Sequence, residues 1–351
     1  MKIIADENIP FVKQAFASLG EVVTWPGRLI CQADSHDADV LLVRSITLVN
    51  ADLLKDTAIK FVASATSGIN HIDEKYLQQN NIAFAHALGS NAISVAQYVM
   101  AGICYWSLQK QKPLSQLSIG IIGYGSVGIQ VANLCNQFGI RSILNDPPLS
   151  DAGQKGLKDI ESALACDIVS LHVPLTLKGK HATKHLINAK NITELKPGGL
   201  FLNASRGEVV HEKALLSRKL QDNDLSIILD VWQNEPNINA EMLAQTLIAT
   251  PHIAGYSLDG KIRGTEMIYH ACCKFFNIIP QWSIDDVDFG NNLPYEFEQT
   301  KHQDIRISVL AAYNISEDSK KLKKMLKNTG LMNGHYFDGL RKNYPVRREW
   351  N

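Results

Sequence analysis

Short runs of apolar, mostly β-branched residues recur along the chain, and each ends in polar or glycine-rich residues. Lys2–Ala5, Val40–Val43, Lys60–Ala63 and Ile82–Phe84 have this character near the start. Asp167–Pro174, Gly199–Gly207, Ser226–Trp232 and Thr246–Thr250, counted with their exits, repeat it after Ser118–Ile122 and Ile140–Asn145. Apolar at consecutive positions, these runs predict strands buried on both faces. Between them, apolar residues fall at helical spacing over Pro10–Leu19, Ala92–Gln109, Ile129–Phe138 and Leu258–Phe276. Pro10 suits a first turn, Asn91 can cap the second helix, and Val95, Val99, Ile103 and Trp106 form a stripe along it. The alternation predicts an α/β fold of parallel sheets with helices on both faces. Such sheets bind ligands beyond the carboxyl ends of their strands. Arg44, Ser45 and Thr66 fall at those ends in the first stretch, and Arg206, Glu235 and His252 in the second.

One unit is more specific. Gly123-Tyr124-Gly125-Ser126-Val127-Gly128 fits G-x-G-x-x-G between a strand and a helix, and Asp146 closes the next strand. Gly123 would allow the tight turn, Gly125 the approach of a pyrophosphate to the backbone, and Gly128 close packing of helix on sheet. The helix start offers N–H groups and a positive dipole end over Gly125–Val127. A carboxylate at Asp146 can accept both ribose hydroxyls and would repel a 2′-phosphate, which predicts NAD over NADP.

Composition narrows the partners. A chain of 351 residues can hold two or three domains. Lysine plus arginine number 35 and aspartate plus glutamate 35, so charge gives no reason to expect nucleic acid or a membrane surface. No run is apolar and long enough to span a bilayer, and charge breaks Met1–Glu7 too early for a signal peptide. Cys31, Cys104, Cys135, Cys166, Cys272 and Cys273 form no C-x-x-C and predict reduced core thiols of a cytoplasmic protein. From Gln281 to about Gln303, Asp285, Asp286, Asp288, Gly290, Asn291, Asn292 and Pro294 predict a linker or extended arm. The tail from Asp304, with Ile305–Leu310 and then Lys320–Lys327 carrying Leu322 and Leu326, reads as an appended dimerisation or lid element.

Arg206, Glu235 and His252 form the candidate chemistry. Oxidising a secondary alcohol needs a base for the hydroxyl proton, and histidine suits that near neutral pH. A carboxylate on its other nitrogen would fix the tautomer, as Glu235 can do. Arginine can grip a substrate carboxylate in bidentate fashion, as Arg206 can do beside Gly207. Composition and spacing equally allow a structural histidine, a salt-bridge arginine and a solvated loop acid. His181 and His185 share an H-x-x-x-H spacing without an intervening acid, and no metal is expected there.

The Gly123–Gly128 turn, Asn203-Ala204-Ser205-Arg206-Gly207, Leu229-Asp230-Val231-Trp232-Gln233-Asn234-Glu235-Pro236 and Thr250-Pro251-His252-Ile253-Ala254-Gly255 occur in the order found in one family. Over about residues 1 to 280 the chain resembles the D-isomer-specific 2-hydroxyacid dehydrogenases. The resemblance implies two Rossmann-like doubly wound domains: a discontinuous substrate domain, 1–92 and 255–285, and an NAD domain, 93–254. It implies that Arg206, Glu235 and His252 are catalytic. Asp6-Glu7-Asn8-Ile9-Pro10, Pro26-Gly27-Arg28, Val43-Arg44-Ser45-Ile46-Thr47 and the run Tyr256–Thr265 resemble a branch acting on a phosphorylated 2-hydroxy acid. That branch carries a C-terminal dimerisation region, which falls on 286–351 and implies a homodimer. Ser45, Thr66 and Tyr256 become substrate contacts. Asp146, Val173, Pro174, Ala204, Ser205, Asp230 and Gly255 join Gly123, Gly125, Ser126, Val127 and Gly128 on NAD. Arg44, Lys261, Arg263 and Arg347 are candidates for the substrate phosphate. The chain departs from the family at Asn70, where aspartate is common, and at Ser90, where cysteine can stand. A sister enzyme acting on 3-phosphoglycerate or another D-2-hydroxy acid, and an NAD-sensing protein without turnover, are the rival readings.

Overall fold

The structure is a computed structural model that describes residues 1–290, 295–296, 304–328 and 334–350. Asn291, Asn292 and Pro294 of the expected arm lie outside the described residues. The chain forms two compact units, Met1–Asn91 with Ser257–Pro294 and Ala92–Tyr256 with Tyr295–Asn351.

The first unit has five parallel strands: β1 Lys2–Asp6, β2 Glu21–Trp25, β3 Val40–Val43, β4 Phe61–Ser64 and β5 Ala83–His86. Their order is β2-β1-β3-β4-β5, a doubly wound sheet whose switch point lies between β1 and β3. The apolar runs locate four of these strands. They do not locate β2, because Glu-Val-Val-Thr-Trp has no unbroken apolar core and sits at the sheet edge with Trp25 exposed. The helix expected over Pro10–Leu19 shrinks to Val12–Phe16. Phe11 adopts a left-handed φ of 56°, so the helix cannot extend back to Pro10.

The helix Leu258–Phe275 closes this unit by packing on β4 and β5. Ser257 caps it, its Oγ accepting from Gly260 N at 2.9 Å. A Cβ at Gly264 would come within 2.9 Å of the Ala65 carbonyl oxygen, and Thr265 Oγ1 donates to Pro10 O at 2.9 Å. Gly260, Gly264 and Thr265 of the Gly-Lys-Ile-Arg-Gly-Thr run are thus small residues that let the helix seat closely, Gly260 against Ser90 and Asn91 and Gly264 against the β4 exit.

The second unit has six parallel strands: β6 Ser118–Ile122, β7 Arg141–Asn145, β8 Ile168–Leu171, β9 Leu200–Asn203, β10 Ser226–Leu229 and β11 Ile248–Ala249. Their order is β11-β10-β9-β8-β6-β7. The chain leaves β6 to one side and returns to β8 on the other, which makes the β6 exit the switch point.

The helix Ala92–Gln109 is not a one-sided stripe. Tyr98, Met100 and Cys104 are as buried as Val95, Val99, Ile103 and Trp106. The helices Ser126–Gln137 and Ile305–Ala312 both pack on it. A helix covered on several sides has no polar face to reveal its period.

The tail belongs to this unit's core. Leu322 and Met325 of the helix Ile315–Lys327 and Phe337 of the helix Gly334–Lys342 are buried. Ser319 Oγ accepts from Ala249 N at 3.0 Å, which caps a backbone donor on the edge strand β11.

Five cysteines are buried as expected. Cys31 is a correction: it is exposed and sits at the start of the short helix Gln32–Ser35, with Sγ 3.1 Å from Asp34 Oδ2. A polar, turn-rich neighbourhood outweighs the usual preference of cysteine for the interior. All six are free thiols.

Two histidines are held neutral inside the units. His71 Nε2 pairs with Ser64 Oγ at 3.0 Å, and burial pushes its pKa down to about 4. His172 Nε2 pairs with Ser170 Oγ at 2.8 Å, and burial pushes its pKa down to about 3. Below the ordinary histidine pKa of about 6.5 the unfolded chain binds these protons first, so stability is full above that pH and declines as pH falls toward the folded values. The melting temperature should therefore drop steadily from pH 7 to pH 5. His71→Asn should flatten that slope by up to about one proton; an unchanged slope would refute the assignment.

Candidate active site

The β6 exit forms the glycine turn. Gly123 has φ 94°, and a Cβ there would strike the His172 carbonyl group at 2.7 Å. A Cβ on Gly128 would strike Gly123 O at 2.0 Å, so the helix can lie this close to the turn only with glycine there. Gly125 is different, because a Cβ there would meet nothing within 4 Å. Exposed Gly125 and Ser126 thus border open space at the start of the helix Ser126–Gln137, where N–H groups are free of intrahelical partners. Asp146 ends β7 on the same side. Its Oδ2 accepts from Tyr124 N at 2.8 Å and its Oδ1 from Leu149 N at 3.1 Å. The acid therefore ties the glycine turn to the next helix. Val173 and Pro174 continue the neighbouring β8 exit.

Arg206 follows β9. Asn203, the last residue of that strand, shapes the turn. Its Oδ1 accepts from Ser205 N at 3.0 Å and Ser205 Oγ at 2.8 Å, and its Nδ2 donates to Arg206 O at 2.9 Å. Arg206 Nη1 donates to Ser205 O at 2.7 Å. Burial lowers the Arg206 pKa, partly offset by the carboxylates of Glu235 and Glu208. It remains a cation, placed near Glu235. Sequence reasoning missed Asn203; an asparagine ending a buried strand before Ser-Arg-Gly was the available signal.

His252 and Glu235 meet. Nδ1 of His252 lies 2.8 Å from Glu235 Oε2, while Glu235 Oε1 accepts from Trp232 N at 2.8 Å. Burial would raise the Glu235 pKa, but the His252 imidazole and the Trp232 N–H outweigh it and hold the carboxyl below its ordinary value. With Nδ1 on the carboxylate, Nε2 is the nitrogen left to face a reacting group.

Asp230 holds the loop that carries His252. The residue is 1% exposed. Its carbonyl accepts from His252 N at 2.7 Å, its Oδ1 from Ile253 N at 2.8 Å and its Oδ2 from Ala254 N at 2.9 Å. Thr250 Oγ1 donates to Oδ1 at 2.6 Å, and Tyr98 backs Thr250 at 2.7 Å. Three successive amides aimed at one residue keep His252 at φ 57°, a left-handed conformation that a histidine reaches only under constraint.

The candidate phosphate cations have mostly found protein partners. Arg44 Nε pairs with fully buried Asp6 at 3.0 Å. Arg263 Nε donates to Ser90 O at 2.9 Å. Burial and nearby Arg44 lower the Lys261 pKa. Arg347 binds the carbonyls of Tyr256 and Ala254 rather than standing clear of the protein, because the tail packs into the second unit. Ser45 is exposed in the first unit, and Thr66 Oγ1 lies 2.9 Å from Ser64 Oγ. His181 pairs with Asp151, and His185 packs edge-on against His211. Among the described residues no group of three or more His, Cys, Asp or Glu side chains is placed to hold a metal.

Residues 82–254 match the family described as D-isomer specific 2-hydroxyacid dehydrogenase, NAD binding domain, and residues 291–351 match a domain of unknown function. Erythronate-4-phosphate dehydrogenase of Hahella chejuensis is 39% identical over 357 residues, covering 99% of this chain and 92% of the relative. The enzyme of that name from Proteus mirabilis is 40% identical over 362 residues, covering 100% and 93%. Among solved structures, NAD+-bound 3-phosphoglycerate dehydrogenase of Entamoeba histolytica aligns with a TM-score of 0.67 at 26% identity, over 79% of this chain and 95% of that one. D-lactate dehydrogenase of Aquifex aeolicus shares the fold with a TM-score of 0.63 at 23% identity, over 79% and 96%. With the dyad, the glycine turn and these near full-length likenesses together, the chain belongs to the erythronate-4-phosphate dehydrogenase group of the D-isomer specific 2-hydroxyacid dehydrogenase family.

Proposed function

We propose that this protein oxidises 4-phospho-D-erythronate to (R)-3-hydroxy-2-oxo-4-phosphooxybutanoate with NAD as acceptor, as a step of pyridoxal phosphate synthesis. The observation that carries the reading is the Glu235–His252 pair at 2.8 Å, at strand exits of the sheet that carries the glycine turn. The space beside Gly125, where a Cβ would meet nothing within 4 Å, leaves room for a pyrophosphate to approach the backbone. Gly123, Gly125, Ser126, Val127 and Gly128 would hold the phosphates, and Asp146 the ribose. Val173, Pro174, Ala204, Ser205 and Gly255 would line the nicotinamide side, where Asp230 acts by holding the loop. Bound NAD would supply the hydride acceptor.

The chain's own residues do the rest. Arg206 would grip the C1 carboxylate and draw electron density from C2 as its oxygen becomes a carbonyl. His252 Nε2 would take the C2 hydroxyl proton. Glu235 would keep Nδ1 as the donor nitrogen and balance the imidazolium once that proton arrives. Ser45, Thr66 and Tyr256 would complete the substrate contacts. The reading extends to a cytoplasmic homodimer using residues 286–351; no helix among the described residues is long and apolar enough to cross a membrane.

NADH formation with a panel of hydroxy acids tests the proposal. Turnover should favour 4-phospho-D-erythronate. Preference for 3-phosphoglycerate or a simple 2-hydroxy acid would assign a sister activity, and NAD binding without turnover of any of them would make the protein a sensor. His252→Ala should lower kcat about 100-fold or more while NAD affinity holds; near-wild-type kcat would sink the base assignment. Asp146→Ala should weaken NAD binding and narrow its advantage over NADP, and an unmoved cofactor ratio would count against the ribose role.

A further inference from the structure

The C-terminal tail brings two arginines to the turn that follows His252, and the protein uses them differently. Arg347 is committed to the fold. Its Nε donates to Tyr256 O at 3.1 Å, and its Nη2 to Ala254 O at 2.6 Å and Ser94 Oγ at 2.5 Å. Its guanidinium carbon stands 4.3 Å from the centre of the Tyr313 ring, and Nη1 alone lacks an acceptor among the described residues.

Arg341, on the helix Gly334–Lys342, is held by fewer bonds: its side chain hydrogen-bonds Tyr256. Its guanidinium carbon lies 5.9 Å from the centre of the Tyr256 ring, within cation–π reach. Its ion-pair partner among the described residues is Asp338, at 4.0 Å and half-exposed one turn back on the same helix. Its Nε is buried and has no hydrogen-bond acceptor among the described residues. Burial alone would lower its pKa, but the Tyr256 phenol and the Glu235 carboxylate outweigh that and keep the group cationic.

The Arg341 side chain is 27% exposed and its nearest carboxylate contact, Asp338, is long at 4.0 Å, so its unpartnered Nε leaves it able to take a closer anion. The planar guanidinium fork matches phosphate oxygens in geometry and in charge. If Arg206 takes the carboxylate, the other end of a phosphorylated hydroxy acid needs a second cation near Tyr256. We propose that Arg341 receives the terminal phosphate of the substrate and sets the preference for the phosphorylated hydroxy acid over its unphosphorylated counterpart. The inference rests on the reaction proposed above. It also gives the tail a part in recognition, since neither Rossmann-like sheet carries this residue.

The test compares the unmodified protein with Arg341→Gln and Arg341→Lys. It measures KM for 4-phospho-D-erythronate, the inhibition constant of D-erythronate as competitor, NAD affinity and melting temperature. Arg341→Gln should raise KM for the phosphorylated substrate about 10- to 100-fold and leave D-erythronate inhibition and NAD affinity within about twofold. Arg341→Lys, which keeps the charge without the fork, should show a smaller rise with the same selectivity, and it decides the matter if the glutamine variant loses its native melting transition. An unchanged KM overturns the proposal, and so does an equal loss for the phosphorylated and unphosphorylated compounds. If the unmodified protein does not turn over 4-phospho-D-erythronate, the proposed reaction falls and this role with it. Turnover with an unchanged KM in both variants removes the role of Arg341 alone.

Discussion

The substrate end of the second unit depends on how Asp230 is bonded. A buried carboxylate needs several donors to offset the water it has lost, and here they come from the chain it must position. The amides of Ile253 and Ala254 and the hydroxyl of Thr250 reach its two oxygens, while its carbonyl takes the amide of His252. The same bonds that satisfy the acid fix the loop, and the loop fixes the histidine in a left-handed backbone conformation. From there the geometry propagates. His252 in that position meets Glu235, and Glu235 takes the backbone of Trp232, whose indole nitrogen donates back to Thr250 O at 2.9 Å. The ring of contacts closes on itself, so the dyad is set by the fold and not by the flexibility of two side chains.

The other end of the sheet obeys a different constraint, which is space. Gly123 and Gly128 are where a methyl group would strike backbone, while Gly125 faces nothing. Three glycines in one motif thus serve turn, packing and access separately. Asp146 links the two functions, because the carboxylate that suits a ribose also holds the turn through Tyr124 N. In the proposed reaction, phosphates at the glycine turn and proton transfer at the His252–Glu235 pair would leave the region between for the redox chemistry. Neither end alone would define a dehydrogenase.

Much of this was legible in the sequence. Strands buried on both faces show themselves as apolar runs, and the residues that end them are the candidates for function because ligands sit at those ends in such sheets. Arg206, Glu235 and His252 stand out as candidates for that reason, with His252 and Glu235 in contact in the fold, and the glycine turn stands out from its spacing. The failures share a cause. β2 is an edge strand with half-exposed faces and no apolar run. The helix Ala92–Gln109 is no failure, since its bounds and its buried stripe match the sequence reading; only its burial on the other sides follows contacts made by residues such as those of Ile305–Ala312, two hundred positions away. Asn203 shapes its turn through hydrogen bonds to Ser205 and the Arg206 carbonyl, and no periodicity reports those. Cys31 lies outside the core because its local turn overrode the habit of its residue type.

The tail is the clearest case of function hidden in long-range packing. Its helices Ile315–Lys327 and Gly334–Lys342 carry few apolar residues, yet Leu322, Met325 and Phe337 lie in the core around β10 and β11. β11 is only two residues long and needs cover, which Ser319 supplies at its backbone. Once a segment is required to cover an edge, whatever it carries is held as firmly as the sheet itself. That is how Arg347 comes to hold the carbonyls around Gly255, and how Arg341 comes to stand over Tyr256. A catalytic core shared with many hydroxy-acid dehydrogenases could thus change its substrate by altering a helix that none of the catalytic strands contains. The chemistry is set by strand exits, and the selectivity by what is packed against them.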